Sequence, residues 1–530
     1  MSNSSSTSCS PSSDFDQQGT QSWSPKRRDF MRVLGVGAGA LATGGLFGCG
    51  GATAASAAEN QRLALLADEA FWTQVQSRFL LDSSKLYMNI GTAGSMPRSV
   101  VESYNAENLD YARESRNGYG NFATQRTALA PGFGVDPDEI VISGNTSDGM
   151  SKAILGIPWQ AGDVVITTNH EHPGGYVPLG IAVERYGVIV RRVTLPAGDG
   201  NVRLFDGSSA PHNAALYRTL FRNEVLAARA AGQRVRAIMW SSPTYLTGIM
   251  LPIREIMQVC KEFDLISICD GAHLPGMMAY NYADLGVDFM AGAGHKWQCG
   301  PGGTGILIVR NKARANAAAT LPPYFPVITS SATQQAGTFG TRPSRIGGGG
   351  QVPWTQRGDY DIAAVLQSIG SMNTPAINAV TKAGADWDAI GRKKIETYVL
   401  GLSNYTKERI IEIWGSADAL YSPRDPGLLS ALTSFNPFHG IDGSKNLIAR
   451  STATNATISQ SPSANLVSRA NSERSIIVRN TSTPSITGAG TLQTIYPIRM
   501  STHLWHDPAD IDRALLAIRE LAVEIATVAS

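Results

Sequence analysis

Short apolar segments alternate with glycine- and proline-containing turns and amphipathic segments over most of the chain, up to about Ile369. This rhythm is typical of repeated βα units, which build a mostly parallel sheet covered by helices. Most of the candidate strands are short and β-branched without strict polar alternation, as expected where both faces of a sheet are buried. The predicted strands are Glu139–Ser143, Asp163–Thr167, Val188–Val193, Arg236–Trp240, Leu265–Cys269, Phe289–Ala291 and Gly305–Val309. The sequence therefore predicts an α/β fold.

Helical periodicity flanks this region. It covers Asn60–Leu80 before the strands, and Ala376–Trp414 and Asp507–Val528 after them, where Asp507-Pro508 supplies a cap and a first-turn proline. Two segments, Thr333–Gly350 and Gly440–Asn471, are rich in Gly or in Ser, Thr and Asn, and we interpret both as loops or mobile insertions. The predicted divisions are a leader and linker (1–58), an N-terminal segment (59–95), a large domain (96–375) and a smaller C-terminal domain (376–530) with an insertion at 440–471.

Composition excludes several classes of partner. The formal net charge is +2, and its charges are dispersed without a basic stripe, which argues against nucleic-acid binding. None of the five cysteines lies in a CxxC motif, so a structural zinc site is not expected. Cys260, Cys269 and Cys299 in the body of the chain are predicted to be buried thiols.

The first residues have the order of an export signal. A polar segment precedes Arg27-Arg28-Asp29-Phe30-Met31-Arg32 and a Gly/Ala-rich apolar run, a pattern that resembles a twin-arginine (Tat) signal. We therefore expect export by the Tat translocase, which carries folded proteins, and a periplasmic location. Leu46-Phe47-Gly48-Cys49 resembles a lipobox that would anchor the protein through Cys49, whereas Ala55-Ser56-Ala57 suits ordinary signal peptidase, and the sequence leaves both open.

The strongest chemical signal is Asp270-Gly271-Ala272-His273 at a strand end, followed by His295-Lys296-Trp297 and a Gly/Pro-rich turn. This combination resembles class V aminotransferases, nearest the isopenicillin N epimerase-like branch, and the resemblance extends from about Tyr87 to Ala526. It implies a fold-type I, pyridoxal 5'-phosphate (PLP)-dependent transferase fold with a large, mostly parallel domain and a smaller α+β C-terminal domain. It also implies an amino acid or peptide as the small-molecule substrate, and a homodimer.

Two of these residues answer requirements of PLP, whose ring withdraws electrons while its nitrogen is protonated. The resemblance assigns Asp270 to the ring nitrogen, where a carboxylate stabilises the positive charge. It assigns Lys296 to covalent attachment of the cofactor, which requires an amine with a lowered pKa. His273 and His295, in the same motifs, are also assigned to the cofactor site.

Other assigned residues follow earlier strands. Asn145, Thr146 and Ser147 match the family's phosphate loop at a helix start. His172 matches the histidine that stacks on the cofactor ring, although His170 and His172 also allow the alternative of a metal pair. Tyr245 stands where the family usually has Asn or Ser near the phenolic oxygen, and a tyrosine can donate the same bond.

Two segments are assigned to the substrate. Arg499, in Tyr496-Pro497-Ile498-Arg499-Met500-Ser501, matches the arginine that binds the α-carboxylate, and a surface ion pair is the alternative. Asn89 belongs to a segment that lines the substrate side, and we expect a main-chain approach there.

The chain departs from the family pattern at two places. Ala293 replaces a serine that would contact the phosphate. Asp359 lies in the place of a turn whose hydroxyl group would reach the phosphate of the neighbouring subunit. Either Arg357 offsets the charge of Asp359, or this turn faces the substrate instead of the neighbouring subunit. A non-catalytic exported binding protein on the same fold is therefore the alternative function.

The sequence leaves the reaction at the α-carbon open among transamination, epimerisation, decarboxylation and elimination. Cysteine desulfuration is disfavoured, because no cysteine follows Cys299, which lies in a Gly/Pro-rich turn. Export and the branch resemblance favour an amino-acid residue of a secondary metabolite, by analogy only.

Overall fold

The β-branched segments form a central seven-stranded sheet in a computed structural model of the chain, which describes residues 56–310, 327, 362–450, 461–488 and 490–528. The strands, in chain order, are β1 (Leu86–Tyr87), β2 (Ile140–Ser143), β3 (Asp163–Thr168), β4 (Ile189–Val193), β5 (Asn201–Arg203), β6 (Ser209–Pro211), β7 (Arg234–Ser241), β8 (Ile266–Asp270), β9 (Phe289–Ala293), β10 (Gly305–Val309), β11 (Leu432–Phe435), β12 (Ile476–Ile477), β13 (Arg479–Asn480), β14 (Thr483–Ile486), β15 (Leu492–Ile495) and β16 (Ile498–Ser501). The central sheet has the order β2-β10-β9-β8-β7-β3-β4. Its strands pair in parallel from β9 to β4, and β10 is antiparallel to both β9 and β2. The predicted mostly parallel α/β sheet is confirmed.

Alternate residues of these strands enter two hydrophobic cores on opposite faces of the sheet. In β10, Ile306 and Ile308 lie in one core, and Leu307 and Val309 lie in the other. Successive side chains of a strand point to opposite faces, so burial of both faces requires a continuous apolar run. The edge strand β4 is the exception, with partly exposed arginines, whereas β2 at the opposite edge is fully buried.

Helices cover the sheet and form most of the C-terminal part. They are α1 (Ala57–Leu66), α2 (Glu69–Gln76), α3 (Arg98–Glu114), α4 (Ala123–Phe133), α5 (Thr146–Leu155), α6 (Pro173–Tyr186), α7 (Ala214–Ala230), α8 (Ile253–Phe263), α9 (Tyr282–Leu285), α10 (Ile362–Gln367), α11 (Thr374–Ile390), α12 (Arg392–Trp414), α13 (Pro462–Arg474) and α14 (Pro508–Val528). Within the described ranges, no helix is long and apolar enough to cross a membrane. The predicted cap of α14 is confirmed, since Asp507 Oδ1 accepts a hydrogen bond from the Asp510 amide at 2.9 Å.

A second, three-stranded sheet has the order β11-β16-β13, and β16 is antiparallel to both neighbours. The N-terminal strand β1 pairs in parallel with β12, and the amide of Ser501 at the end of β16 donates to the Met88 carbonyl at 2.9 Å. These bonds place the segment that follows β1 beside β16. The N-terminal segment and the C-terminal sheet therefore meet, although they are far apart in sequence.

Three predictions of local structure need correction. The predicted helix Asn60–Leu80 is two helices, α1 and α2, and the predicted helix Ala376–Trp414 divides at Gly391, which has a positive φ of 97°. The loop predicted at Gly440–Asn471 is wrong in its last part, because α13 begins at Pro462 and Ser461 caps it by accepting from the Ala464 amide at 3.2 Å. The loop at Thr333–Gly350 lies outside the described residues, and the domain boundaries remain predictions.

Candidate active site

Five strands of the central sheet end at the same edge. The strands β3, β7, β8 and β9 run in parallel, and two successive antiparallel pairings give β2 the same direction. The predicted site residues that directly follow these strands are Thr146 after β2, His172 after β3, Tyr245 after β7, Asp270 at the end of β8 and Lys296 after β9. Ligands of open α/β sheets bind at this carboxyl edge.

Lys296 is half-buried directly after β9. Its main chain is held in place, because the Gly94 amide donates to the His295 carbonyl at 2.7 Å and the next residue, Trp297, is fully buried. Burial lowers the pKa of the Lys296 amine to about 8, an effect that Asp270 opposes and that Arg499 and Arg479 reinforce. A substantial fraction of the amine is therefore neutral, and hence nucleophilic, near neutral pH.

Asp270 is 2% exposed. Its Oδ1 accepts a hydrogen bond from the Ala272 amide at 3.1 Å, whereas its Oδ2 has no hydrogen-bond partner among the described residues. Burial raises the pKa of this carboxyl group, and Lys296 partly opposes that rise. In the part of the chain that the structure describes, no ion pair within 4.0 Å includes Asp270 or Lys296. The two groups thus influence each other without direct contact.

The loop after β2 is a helix start with polar side chains. Asn145 caps α5 by accepting from the Asp148 amide at 2.9 Å. Thr146 is 8% exposed, and its Oγ1 has no hydrogen-bond partner within the described residues. A Cβ at Gly174 would lie 2.4 Å from Ser147 Oγ, so the starts of α5 and α6 approach each other closely.

His172 caps α6, and its Nδ1 accepts from the Gly174 amide at 3.0 Å. His172 is exposed, and its ring meets the Tyr245 ring edge-on, with centroids 4.9 Å apart. Partial desolvation, followed by the charge of Lys296, lowers the pKa of His172 to about 4. His172 is therefore a neutral aromatic ring at physiological pH.

The other predicted histidines differ in their surroundings. His273 is buried against Trp297, with ring centroids 5.0 Å apart, and neither ring nitrogen has a partner among the described residues. His295 is half-buried and its Nδ1 lies 3.4 Å from the Thr304 carbonyl oxygen. His170 is fully buried, and its Nε2 lies 3.1 Å from the Pro484 carbonyl oxygen. Within the described ranges, no group of three or more His, Cys, Asp or Glu side chains has a metal-binding arrangement.

Arg499 in β16 is 1% exposed, so the alternative of a surface ion pair is wrong. Its Nη1 donates to the Tyr245 carbonyl at 2.8 Å, and its Nη2 donates to Asn89 Oδ1 at 3.1 Å. A Cβ at Gly91 would lie 2.7 Å from Nη2, so the segment after β1 packs directly against the guanidinium. Asn89 thus positions Arg499 with its side chain, a contact that the sequence did not predict.

Two features of the site escaped the sequence. Arg479 in β13 lies opposite Arg499. Glu171 is buried beside Ser241, whose Oγ donates to it at 2.6 Å, and burial raises the pKa of Glu171 to about 7. Arg357 and Asp359, the predicted cross-subunit turn, lie outside the described residues. The neighbour relation of Arg479 and Arg499 depends on strand pairing, which local sequence patterns do not reveal.

Comparison with known proteins shows which proteins this chain resembles. The family model described as aminotransferase class-V matches residues 223–353, which include Asp270 and Lys296. This match confirms the class V aminotransferase resemblance. The isopenicillin N epimerase of Streptomyces clavuligerus is 27% identical over 245 residues, covering 45% of this chain and 56% of the relative. That of Amycolatopsis lactamdurans is 24% identical over 387 residues, covering 70% of this chain and 86% of the relative.

Solved structures share the fold. An apo cysteine desulfurase from Thermococcus onnurineus NA1 superposes with a TM-score of 0.61 at 18% identity, covering 85% of this chain and 98% of that one. A variant of the lyase C-DES, with glycine covalently linked to its PLP cofactor, gives a TM-score of 0.59 at 19% identity, covering 84% of this chain and 98% of that one. The fold is that of the fold-type I enzymes, as the sequence predicted.

Proposed function

We propose that this chain is an exported PLP-dependent enzyme that acts at the α-carbon of an amino acid, or of an amino-acid residue in a secondary metabolite. The observation that carries the proposal is the convergence of Lys296 and Asp270 at one sheet edge. The lysine has a pKa of about 8, and the carboxylate is buried without an ion-pair partner within 4.0 Å in the described part of the chain. A purely structural lysine and aspartate would gain most by direct contact, which these two groups do not make.

The remaining polar groups fit the parts of the cofactor. Asp270 Oδ2, unpartnered among the described residues, suits a protonated ring nitrogen. Thr146 Oγ1 is likewise unpartnered there, and the adjacent helix start supplies amide donors for a phosphate. The neutral, exposed ring of His172 suits a flat aromatic face. Tyr245, His273 and His295 stay predicted cofactor contacts.

PLP, when bound, withdraws electrons from the α-carbon of the amino acid. The chain's own groups have three tasks beside it. Lys296 holds the cofactor and can carry a proton to or from the α-carbon as a neutral amine. Arg499 binds the α-carboxylate and so fixes which α-carbon bond faces the electron sink. The named epimerase relatives support epimerisation, and transamination and lyase chemistry stay open alternatives.

Desulfuration remains disfavoured as a proposal, although relatives and structural neighbours include proteins named cysteine desulfurases. Cys299 Sγ is fully buried and lies 3.4 Å from both the Lys296 carbonyl oxygen and His503 Nε2. Burial raises the pKa of this thiol well above its usual value. Such a thiol is neither mobile nor nucleophilic, and no cysteine follows it in the sequence.

The rate of PLP incorporation into the apoprotein should increase with pH and level off above about 8, the pKa of Lys296. The neutral amine is the reactive form, so its fraction, and with it the rate, should rise about tenfold per pH unit well below that pKa. Stopped-flow measurement of the visible absorption band in amine-free buffers tests this. A protein that takes up no PLP at any pH would support the non-catalytic binding protein instead.

Export is part of the proposal and is supported by the Arg27-Arg28 motif before the apolar run. The double variant Arg27→Lys, Arg28→Lys should leave most of the protein in the cytoplasm with its cofactor bound. The reason is that the export machinery recognises the motif, whereas the fold does not depend on it. Cell fractionation and absorption spectra of both fractions measure this. Arg32→Lys is the control and should be exported. Unchanged export of the double variant would defeat the proposal.

We also propose a homodimer, which the resemblance implies and which is the commonest arrangement of soluble oligomers. The turn with Arg357 and Asp359 is the candidate contact to the neighbouring site. Sedimentation of the mature protein tests the oligomeric state, and a monomer that turns over substrate would defeat it.

A further inference from the structure

Two arginines lie directly opposite each other in the C-terminal sheet. β13 pairs with β16 in antiparallel register, and Arg479 is the partner of Arg499. Side chains that are directly opposite in such a pair share one face of the sheet, with Cβ atoms about 5 Å apart. Two like charges in this arrangement destabilise the fold. A role in ligand binding would explain why the chain has this pair despite its cost in fold stability.

No carboxylate of the described residues neutralises this pair. Among the described residues, no ion pair within 4.0 Å includes Arg479 or Arg499. Other partly buried arginines of the chain behave differently: Arg424 pairs with Asp199 at 2.7 Å, and Arg409 pairs with Asp512 at 2.7 Å. The two opposed guanidiniums are therefore available for anions from outside the chain.

Each guanidinium keeps free donors. Arg499 uses one donor each of Nη1 and Nη2, and its Nε has no partner among the described residues. Arg479 makes two long bonds, from Nε to the Asn480 carbonyl and from Nη1 to Thr92 Oγ1, both at 3.4 Å. A guanidinium has five N–H donors. Arg499 alone thus retains enough donors for one carboxylate, and Arg479 retains enough for another.

Arg479 is connected through Thr92 to the group that holds Arg499, and it lies within electrostatic reach of Lys296. It is half-buried, and its charge lowers the pKa values of Lys296 and His172. Its partner Thr92 also donates to Asn89 Oδ1, the group that holds Arg499. Arg479 is more exposed than Arg499, which places it where the rest of a substrate would extend.

We propose that Arg479 binds a second anionic group of the substrate, so that the chain selects amino acids or amino-acid residues with a second carboxylate or a comparable anion. This inference rests on the proposed function, in which Arg499 binds the α-carboxylate. It narrows the substrate class from amino acids in general to those that carry at least two negative groups.

The test compares the binding of glutarate, with two carboxylates, and butyrate, with one, to the purified full chain by titration calorimetry. The wild type should bind glutarate at least about tenfold more tightly than butyrate, as expected for an additional charge-assisted bond. Arg479→Gln should remove this preference, and Arg479→Lys should keep part of it. Arg474→Gln is the matched control, because Arg474 lies at the exposed end of α13 near Glu520 and should leave the preference unchanged.

Two results would overturn the inference. One is a wild type without a preference for glutarate. The other is an Arg479→Gln variant that binds both ligands more weakly by the same factor, because both arginines would then hold a single carboxylate. Arg479→Lys keeps the test decisive should the Gln variant fail to fold. The visible absorption of the same samples reports PLP separately, so a colourless protein with an Arg479-dependent preference would refute the proposed function alone.

Discussion

Lys296→Ala should abolish covalent attachment of PLP and reduce turnover by at least about a thousandfold, because the same amine holds the cofactor and carries the proton. The local structure should survive. The backbone there is fixed by the bond between the Gly94 amide and the His295 carbonyl and by the buried Trp297, which the substitution leaves in place. Borohydride reduction followed by peptide mapping should place the pyridoxyl label on Lys296 in the wild type and nowhere in the variant.

A second buried lysine, Lys407, provides a comparison for the labelling experiment. Lys407 is 1% exposed, and burial lowers its pKa to about 7, so a low pKa alone does not distinguish the two amines. Its ammonium group donates to Ser403 Oγ at 2.7 Å and Thr433 Oγ1 at 3.2 Å. Lys407 is therefore enclosed, whereas Lys296 is accessible. Lys407→Met should keep the label on Lys296. A label on Lys407 in the wild type or in Lys296→Ala, or loss of the label in Lys407→Met, would refute the site.

The sequence predicted the sheet and its edge well, because both depend on local signals. Burial of both strand faces requires continuous apolar runs, and those runs locate the strands from Ile140 to Val309. In a parallel sheet the residues that follow the strands must meet at one edge. The positions of Thr146, His172, Asp270 and Lys296 at that edge thus follow from the sequence once the strands are placed.

The sequence predicted the substrate side less completely, because contacts between distant segments create it. Asn89 contacts Arg499 because β1 pairs with β12 and the segment after β1 is hydrogen-bonded to the end of β16. Arg479 belongs to the site only because β13 pairs it with Arg499. This pairing could not be predicted, since a two-residue strand has no periodic pattern in the sequence. The helix α13 was missed for another reason: its polar composition resembles a loop, and the Ser461-Pro462 start is a short signal.

Asp270→Asn should lower turnover by about a hundredfold or more and at the same time stabilise the apoprotein, by on the order of 1 kcal/mol at neutral pH. Activity should fall because a neutral amide cannot balance the positive charge of a protonated ring nitrogen. Stability should rise because burial raises the pKa of Asp270 in the folded state, so the ionised carboxylate opposes folding. Asparagine has nearly the same shape and can still accept a hydrogen bond from the Ala272 amide. This is the one hydrogen bond that the Asp270 side chain makes among the described residues.

The pH dependence of this stabilisation identifies its cause. At a pH below the pKa that Asp270 has in the unfolded chain, the aspartate is protonated in both states. The variant should then gain no free energy of unfolding from the loss of the charge. The advantage should develop as the pH rises from the unfolded-state pKa to the raised folded-state pKa and then level off. It should increase again near pH 8, where Lys296 loses the charge that partly offsets Asp270. Urea unfolding of the apoproteins across this range measures it. Asp288→Asn is the control: Asp288 is also buried, but it pairs with Arg310 and accepts from the Ser267 amide at 2.9 Å, so its loss should destabilise the fold. If Asp270→Asn instead destabilised the apoprotein as Asp288→Asn does, Asp270 would be a structural residue, and its assignment to the cofactor would fail.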